Sequence, residues 1–351
     1  MSARLVAVEH AKPFFAKVTK VEWFISLLCN FSCSYCAEYA RSGHADTEKI
    51  LRGIDLLKQR TAGRELMLLL GGGEPSYHPE VERICKHAFA AGIHLSMISN
   101  GSRSPELYVD LLAFVRSFTF SIHFEQKYEK TMATIQAVQA AIRKENSGKN
   151  HLQANIMMSA GHFAEAKAAI EKLEAWGVKY IIRRIRPLYD ENGFPILPKQ
   201  AEGRKTFHKN DPNAFARASD QGYYDEAEID FLKSRVFTVD KNTKEFWTEE
   251  DGQTEVKDSN ANDLGLRKLN RFAGWKCWIG IERLHIYPTG DVYRSTCKVG
   301  GKLGNIYEDF TFPDSPVICT SQRCTCSWAM NVSKAANQDS EKLLRISAVD
   351  K

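Results

Sequence analysis

The sequence predicts an α/β fold, a partial (β/α)6 TIM-like barrel followed by a small carboxy-terminal domain, and three observations carry that prediction. From Val21 to Arg186, short β-rich runs alternate with helix-like amphipathic stretches, the pattern of βα units around a parallel sheet. Two of the strands pair a polar stripe with an apolar one, where a sheet covered on both faces would read as nearly continuous apolar sequence, so a lined cavity is implied. The nine cysteines divide by position: three at 29–36, five between 277 and 326, and Cys85 alone between them.

Six strands are expected, at Val21 to Leu27, Glu65 to Leu70, His94 to Ser99, Phe118 to Phe124, His151 to Ser159 and Lys179 to Arg186. The helices between them have the right punctuation, with Asp46 or Thr47 as an N-cap, Pro79 in a first turn, and Gly92 and Gly177 just past helix ends. In the fourth strand Phe118, Phe120, Ile122 and Phe124 form the face expected under helices, opposite Thr119, Ser121, His123 and Glu125. The fifth strand opposes Leu152, Ala154, Ile156 and Met158 to Gln153, Asn155, Met157 and Ser159. Cys85, within the expected helix Glu80 to Ala90, reads as a small buried hydrophobe.

Residues 187–270 break this rhythm. The stretch is polar and opens with Pro187, Pro195 and Pro198, carries a capping-box pattern at Asp225 and Glu228, and ends in a hairpin around Asp251-Gly252. Its aromatic residues, among them Tyr223, Tyr224, Phe231 and Trp247, mark an ordered insertion or bridge, not a solvated linker. The expected division is therefore a core at 1–186, a bridging segment at 187–270 that could bind substrate, and a carboxy-terminal domain at 271–351.

With 351 residues the chain is long enough for two domains or a barrel with an appendix. The longest aliphatic run, Leu66 to Leu70, is far too short to span a bilayer, so no membrane is expected. Charged residues interrupt Met1 to Lys20 before any signal-peptide core forms, and an odd cysteine count fits a reducing compartment, so the expected location is the cytoplasm. A net charge of +5, from 48 basic and 43 acidic side chains, is short of a dedicated nucleic-acid binder but suits an anionic substrate.

The chemistry concentrates in Cys29-Asn-Phe-Ser-Cys33-Ser-Tyr-Cys36, which directly follows the first strand, and in Gly71-Gly-Gly-Glu-Pro75, which closes the second. Three thiolates in eight residues can hold three irons of a [4Fe-4S] cluster and leave the fourth iron open to a ligand. Zinc is the alternative, although no histidine lies within the loop to complete its four ligands. The Cys-x3-Cys-x2-Cys spacing with an aromatic residue before the last cysteine resembles the signature of the radical S-adenosylmethionine (radical SAM) superfamily. That resemblance implies a reduced cluster on Cys29, Cys33 and Cys36 that chelates S-adenosylmethionine and cleaves it to a 5'-deoxyadenosyl radical, which removes hydrogen from a substrate carbon. It also implies cofactor-binding roles for Gly72, Gly73 and Glu74, whose backbone and carboxylate would accept from the methionine ammonium. Tyr35 would lie near the adenine, Ser99, Asn100 and Ser121 match strand-end positions, and Asn155 matches a ribose- or adenine-contacting one. His123 replaces an acidic residue that the family more often carries there; it is a candidate catalytic or binding group, with a structural role as the alternative.

Near the carboxyl end, Cys277 and Cys297 bracket a hairpin around Pro288-Thr-Gly-Asp, followed by Cys319, Cys324 and Cys326. This arrangement resembles the twitch domain, the shortened relative of the SPASM domain, and implies a second, auxiliary [4Fe-4S] cluster on four of the five thiols; a zinc site is the alternative. Arg184 and Arg186, which alternation puts on one side of the last strand with Arg183 on the other, are candidate catalytic or substrate-binding guanidiniums at the barrel mouth. The reading that results is a radical SAM enzyme acting on a small anionic metabolite or nucleotide, served by a reducing partner such as flavodoxin or ferredoxin. The alternatives are a peptide-modifying enzyme, a nucleic-acid base-modifying enzyme, which would need a broader basic surface, and a non-catalytic iron-sulfur electron carrier.

Overall fold

The computed structural model describes residues 3–36, 43–61, 63–145, 148–185, 188–189, 195–196, 223–236, 241–249, 251–324 and 327–346. Six parallel strands stand side by side in chain order: β2 (Val18–Ser26), β3 (Glu65–Gly72), β4 (His94–Ser99), β5 (Ser117–His123), β6 (His151–Met158) and β7 (Lys179–Arg184). Each begins within three residues of its expected start. The helices that return the chain are α1 (Thr47–Arg60), α2 (Val81–Ala90), α3 (Pro105–Leu111), α4 (Tyr128–Glu145) and α5 (Phe163–Ala175).

Alternation sorts the strand side chains as the sequence pattern requires. Trp23, Leu68, Met97, Phe120 and Ile156 point to the helix side and are fully buried against residues such as Ile54 of α1, Ile84 and Cys85 of α2, and Ile135 of α4. Burial of one such aliphatic or aromatic side chain contributes on the order of 1.5–3 kcal/mol, so this single apolar layer is the main source of cohesion. Local signals set the helix ends: Asp46 caps α1 by accepting from the Lys49 N–H at 2.9 Å, and Gly92 and Gly177 follow α2 and α5 with positive φ.

Three placements differ from the linear division at 186 and 270. First, α6 (Glu226–Val236) is the helix of the sixth βα unit: Tyr223, Tyr224 and Phe231 join the main core, and the Tyr224 hydroxyl donates to Met158 O at 2.7 Å. Its start is the expected capping box, with the Glu228 N–H donating to Asp225 and the Asp225 N–H to Glu228. The polarity of the preceding chain hid its membership of the core. Between β7 and α6, β8 (Leu188–Tyr189) pairs with β9 (Pro195–Ile196).

Second, the carboxy-terminal region supplies a seventh parallel strand. After β10 (Thr243–Thr248), β11 (Thr254–Ser259), α7 (Ala261–Leu266) and β12 (Lys276–Cys277), strand β13 (Arg283–Ile286) pairs parallel with β2, with Arg283 opposite Lys20 and His285 opposite Glu22. The antiparallel strands β14 (Asp291–Tyr293), β15 (Lys302–Asn305) and β16 (Asp309–Phe310) extend that edge. Third, β1 (Arg4–His10) lies in a separate six-stranded sheet, ordered β11-β10-β1-β18-β12-β17, where β17 is Val317–Ile318 and β18 Lys334–Ala335. Leu5, Ala7, Phe246, Phe272, Trp278 and Ala335 form its own apolar core. Among the described residues no helix is long and apolar enough to cross a membrane.

Candidate active site

The cysteine loop leaves β2 and is held by its neighbours' backbone. The N–H groups of Gly73 and Glu74 donate to Ser26 O at 2.9 Å and Leu28 O at 2.7 Å, which ties the glycine turn to the start of the loop. Gly72 has φ 115°, and a Cβ there would run into the Ser26 carbonyl, while one on Gly73 would strike that of Leu28. Close approach of two backbones therefore demands glycine at both positions. Farther along, the Ser34 N–H and hydroxyl donate to the Glu125 carboxylate at 2.8 and 3.0 Å, and Asn100 Nδ2 donates to Asn30 at 2.9 Å and lies 3.7 Å from Cys29 Sγ. All three thiols consequently line one cavity of about 240 Å³ at the carboxyl ends of the strands, together with Gly71, Gly72, Gly73, Asn100, Ser121 and His123.

Behind this cavity, Glu74 organises two turns. Its fully buried carboxylate accepts from the Ser76 N–H at 3.0 Å, the Ser99 hydroxyl at 2.8 Å and the Asn100 N–H at 2.5 Å. Burial nevertheless pushes its pKa up, against those hydrogen bonds. In this structure the Glu74 carboxylate is turned to the Ser76 and Ser99–Asn100 turns, and the part of the cradle that lines the cavity is Gly71, Gly72 and Gly73. Tyr108, which the sequence did not single out, extends the network with its hydroxyl 2.8 Å from Ser99 Oγ and 3.0 Å from Ser76 Oγ.

Tyr35 and His123 stack, with ring centroids 6.0 Å apart and planes 15° from parallel. Burial pushes the His123 pKa down to about 4, and burial together with the neighbouring Cys33 pushes Tyr35 well up. A neutral imidazole is thus hydrogen-bonded to the phenol, with Tyr35 Oη and His123 Nδ1 2.6 Å apart and the donor set by the imidazole tautomer, and that nitrogen is also 3.4 Å from Cys33 Sγ. Burial raises the thiols of Cys29 and Cys33, so they would ionise only with a positive partner, as metal binding supplies. The donor set surrounds a cavity instead of converging on a point: among the described residues no three His, Cys, Asp or Glu side chains are grouped to hold a single ion. Three thiolates can each ligate one iron of an iron-sulfur cluster, whereas a zinc ion needs a fourth ligand.

The remaining predicted residues lie elsewhere. Asn155 lines a second, lower cavity, where it donates to Ser121 Oγ at 3.4 Å and accepts from Arg183 Nε at 3.1 Å. Arg184 is exposed, with its guanidinium 5.9 Å from the centre of the Tyr224 ring, and it is Arg183 that faces the cavity. Alternation separated the two arginines correctly but could not tell which side was inside. Arg186 and Cys326 lie outside the described residues. Cys277 and Cys319 are buried in the second core with Cys324 packed against it, whereas Cys297 is exposed. Burial raises the Cys277 thiol to about 12, against the opposing charge of Lys334. Lys20 and Glu22, on the cavity face of β2, were detectable by the same alternation that marks Val21, Trp23 and Ile25 as core.

Residues 23–182 match the family model of the Radical SAM superfamily. A curated relative, an S-adenosylmethionine-dependent nucleotide dehydratase of Selenomonas ruminantium, is 31% identical over 121 residues, which span 34% of this chain and 43% of that protein. Among solved structures, Streptococcus suis SuiB bound to S-adenosylmethionine matches with a TM-score of 0.51 at 12% identity, over 84% of this chain and 64% of SuiB. SuiB bound to its precursor peptide SuiA matches with a TM-score of 0.52, also at 12% identity, over 85% and 65% of the two chains. The family match and the shared fold support the radical SAM superfamily, and with the dehydratase they support an enzyme.

Proposed function

We propose that the chain is a radical SAM enzyme acting on a small anionic metabolite, with a nucleotide as the favoured class. The observation that carries this reading is the single cavity shared by Cys29, Cys33, Cys36 and the Gly71–Gly73 turn at the strand ends. A [4Fe-4S] cluster on those thiolates would supply the electron that splits S-adenosylmethionine into methionine and a 5'-deoxyadenosyl radical. In this reading the backbone of Gly72 and Gly73 meets the methionine end of the cofactor, Asn100 and Ser121 offer polar contacts, and Phe24 and Phe31 help exclude water. Tyr35 and His123 hold the loop side of the cavity by their mutual hydrogen bond.

The parallel βα units act as a partial barrel, and the carboxy-terminal region as a twitch- or SPASM-like module with a second cluster on four of Cys277, Cys297, Cys319, Cys324 and Cys326. A reducing protein such as flavodoxin or ferredoxin would deliver electrons in a reducing cytoplasm. The nucleotide class is favoured by the activity of the Selenomonas ruminantium relative and by the cations of the lower cavity. Incubating the anaerobically reconstituted, reduced protein with S-adenosylmethionine tests the reading. Formation of 5'-deoxyadenosine is expected, and its absence from fully iron-loaded protein would return the chain to the electron-carrier alternative.

A further inference from the structure

Below the cofactor cavity the same sheet face encloses a second cavity of about 360 Å³, within the range of small-molecule sites. Its walls come from the amino-terminal halves of the strands, through Lys20, Ser96, Thr119 and Gln153, and from the carboxy-terminal region, through Arg283 and Asn260. The two cavities share Ile98 and adjoin at the Asn155–Ser121 hydrogen bond.

The lining is electrostatically one-sided. Lys20, Arg183 and Arg283 contribute to it, and no described Asp or Glu does. Lys20 and Arg283 are direct register partners across β2 and β13, and Arg283 is only 4% exposed. The Lys20 ammonium lies over the Phe15 ring, 3.4 Å from its centre, and makes no ion pair among the described residues. Glu282 is the acid that acts on it, but that carboxyl is fully buried, is raised by burial, and accepts from the Ser333 N–H at 3.1 Å. Burial and the Arg283 charge push Lys20 down to about 7. The two cationic side chains therefore lie close enough to act on each other within the lining of one cavity.

We propose that the lower cavity binds a multiply charged oxyanion, the diphosphate or triphosphate end of the substrate, with Lys20, Arg283 and Arg183 as its cations. The word substrate rests on the radical SAM reading; the anion site itself does not. Three cations with surrounding hydroxyl and amide donors match the several oxygens of a polyphosphate better than a single carboxylate. A molecule anchored there would extend past Ile98 toward the cofactor cavity, which would bring its far end to the radical.

Isothermal titration of the full-length, iron-loaded protein with inorganic pyrophosphate and, separately, with malonate tests this. Pyrophosphate should bind roughly tenfold or more tighter than malonate, Lys20→Met should weaken it by a similar factor, and Lys20→Arg should restore it. Equal affinities of the two anions, or unchanged pyrophosphate binding by Lys20→Met, would overturn the proposal. If circular dichroism shows Lys20→Met to be unfolded, Gln153→Leu on β6 replaces it, and unchanged binding there would count equally against the site. The wild-type assay for 5'-deoxyadenosine keeps the two readings apart. A chain that cleaves S-adenosylmethionine but ignores pyrophosphate lacks this site, whereas one that binds pyrophosphate without cleavage lacks the proposed activity.

Discussion

Cys29, Cys33 and Cys36 line a cavity at the ends of parallel strands, whereas Cys277 and Cys319 are buried in an apolar core beside Phe272 and Trp278, with Cys324 at its margin. The two groups are alike in residue type and opposite in what surrounds them. A thiolate site that opens on a cavity leaves room for a ligand, and its loop is held from several sides by Glu74, Asn100 and Glu125. A thiolate site packed into a core has room only for its own ligands. There the nearby charge is the buried ammonium of Lys334, fixed by the carbonyls of Ala329, Met330 and Val332. Under the proposed function, that difference gives the open group to cofactor chemistry and the closed group to an electron-holding or structural role.

The largest effect should come from breaking the two groups separately. Replacing Cys29, Cys33 and Cys36 by Ala should remove about four of about eight irons per chain and reduce 5'-deoxyadenosine formation to background. Replacing Cys319 and Cys324 by Ala should also remove about four irons, yet leave slow cofactor cleavage in the absence of substrate. Iron analysis and chromatography of the products check both. If the second variant lost cleavage as completely as the first while circular dichroism showed an intact fold, openness would not be what separates the two sites.

Much of this contrast was legible in the sequence because its signals are local. The cysteine spacing, the glycine turn and the alternation of Phe118, Phe120 and Ile122 against Thr119, Ser121 and His123 are set within a few residues, and the structure has a strand over the alternating run and one cavity lined by the three cysteines and the glycines. Contacts that join distant segments were not legible. Nothing near Arg283 announces that β13 will lie beside β2, 263 residues away in the His285–Glu22 pair, so the cationic wall of the lower cavity could not be read from either strand alone. Likewise β1 carries an ordinary apolar strand pattern, and only its pairing with β10 and β18 assigns it to the second sheet. Glu74 was recognised by its motif, but its role depends on the Ser99–Asn100 turn 25 residues later.

An intermediate effect is expected at Glu74, which sharpens the contrast by loosening only the open site. In Glu74→Gln one oxygen can still accept from Ser76 and Ser99, but an amide NH2 would face the Asn100 N–H and leave that donor unsatisfied. An unsatisfied buried donor costs about 1–3 kcal/mol, and the displaced turn carries Asn100, which contacts Cys29 and Asn30. S-adenosylmethionine affinity should therefore fall roughly tenfold while iron content stays unchanged. Equilibrium binding to the iron-loaded variant measures this, and unaltered affinity would show that the turn is held without Glu74.

The smallest effect concerns the seam that joins the two regions. Glu22 on β2 and His285 on β13 are 3.1 Å apart, Oε2 to Nδ1, and His285 is fully buried between the rings of Phe24 and Tyr287. Burial alone would raise the Glu22 pKa, but the hydrogen bond and charge of His285, with Arg283 adding, hold the carboxyl below its ordinary value of 4.5. A carboxyl whose folded pKa is depressed contributes stability above its unfolded pKa and loses it as the pH falls through the folded one. At pH 6, Glu22→Gln should therefore lower the unfolding free energy by about 1.5–3 kcal/mol, the usual worth of a charge-assisted hydrogen bond. As the pH falls below 4.5 and through the depressed folded pKa, the gap between variant and wild type should close, because the wild-type carboxyl is itself being protonated. Urea unfolding of both proteins across that range gives the difference directly, and acid loss of iron, common to the two, cancels. A gap that stayed constant with pH would mean that the seam is held by the shape of the β2–β13 pairing and not by the charge of Glu22.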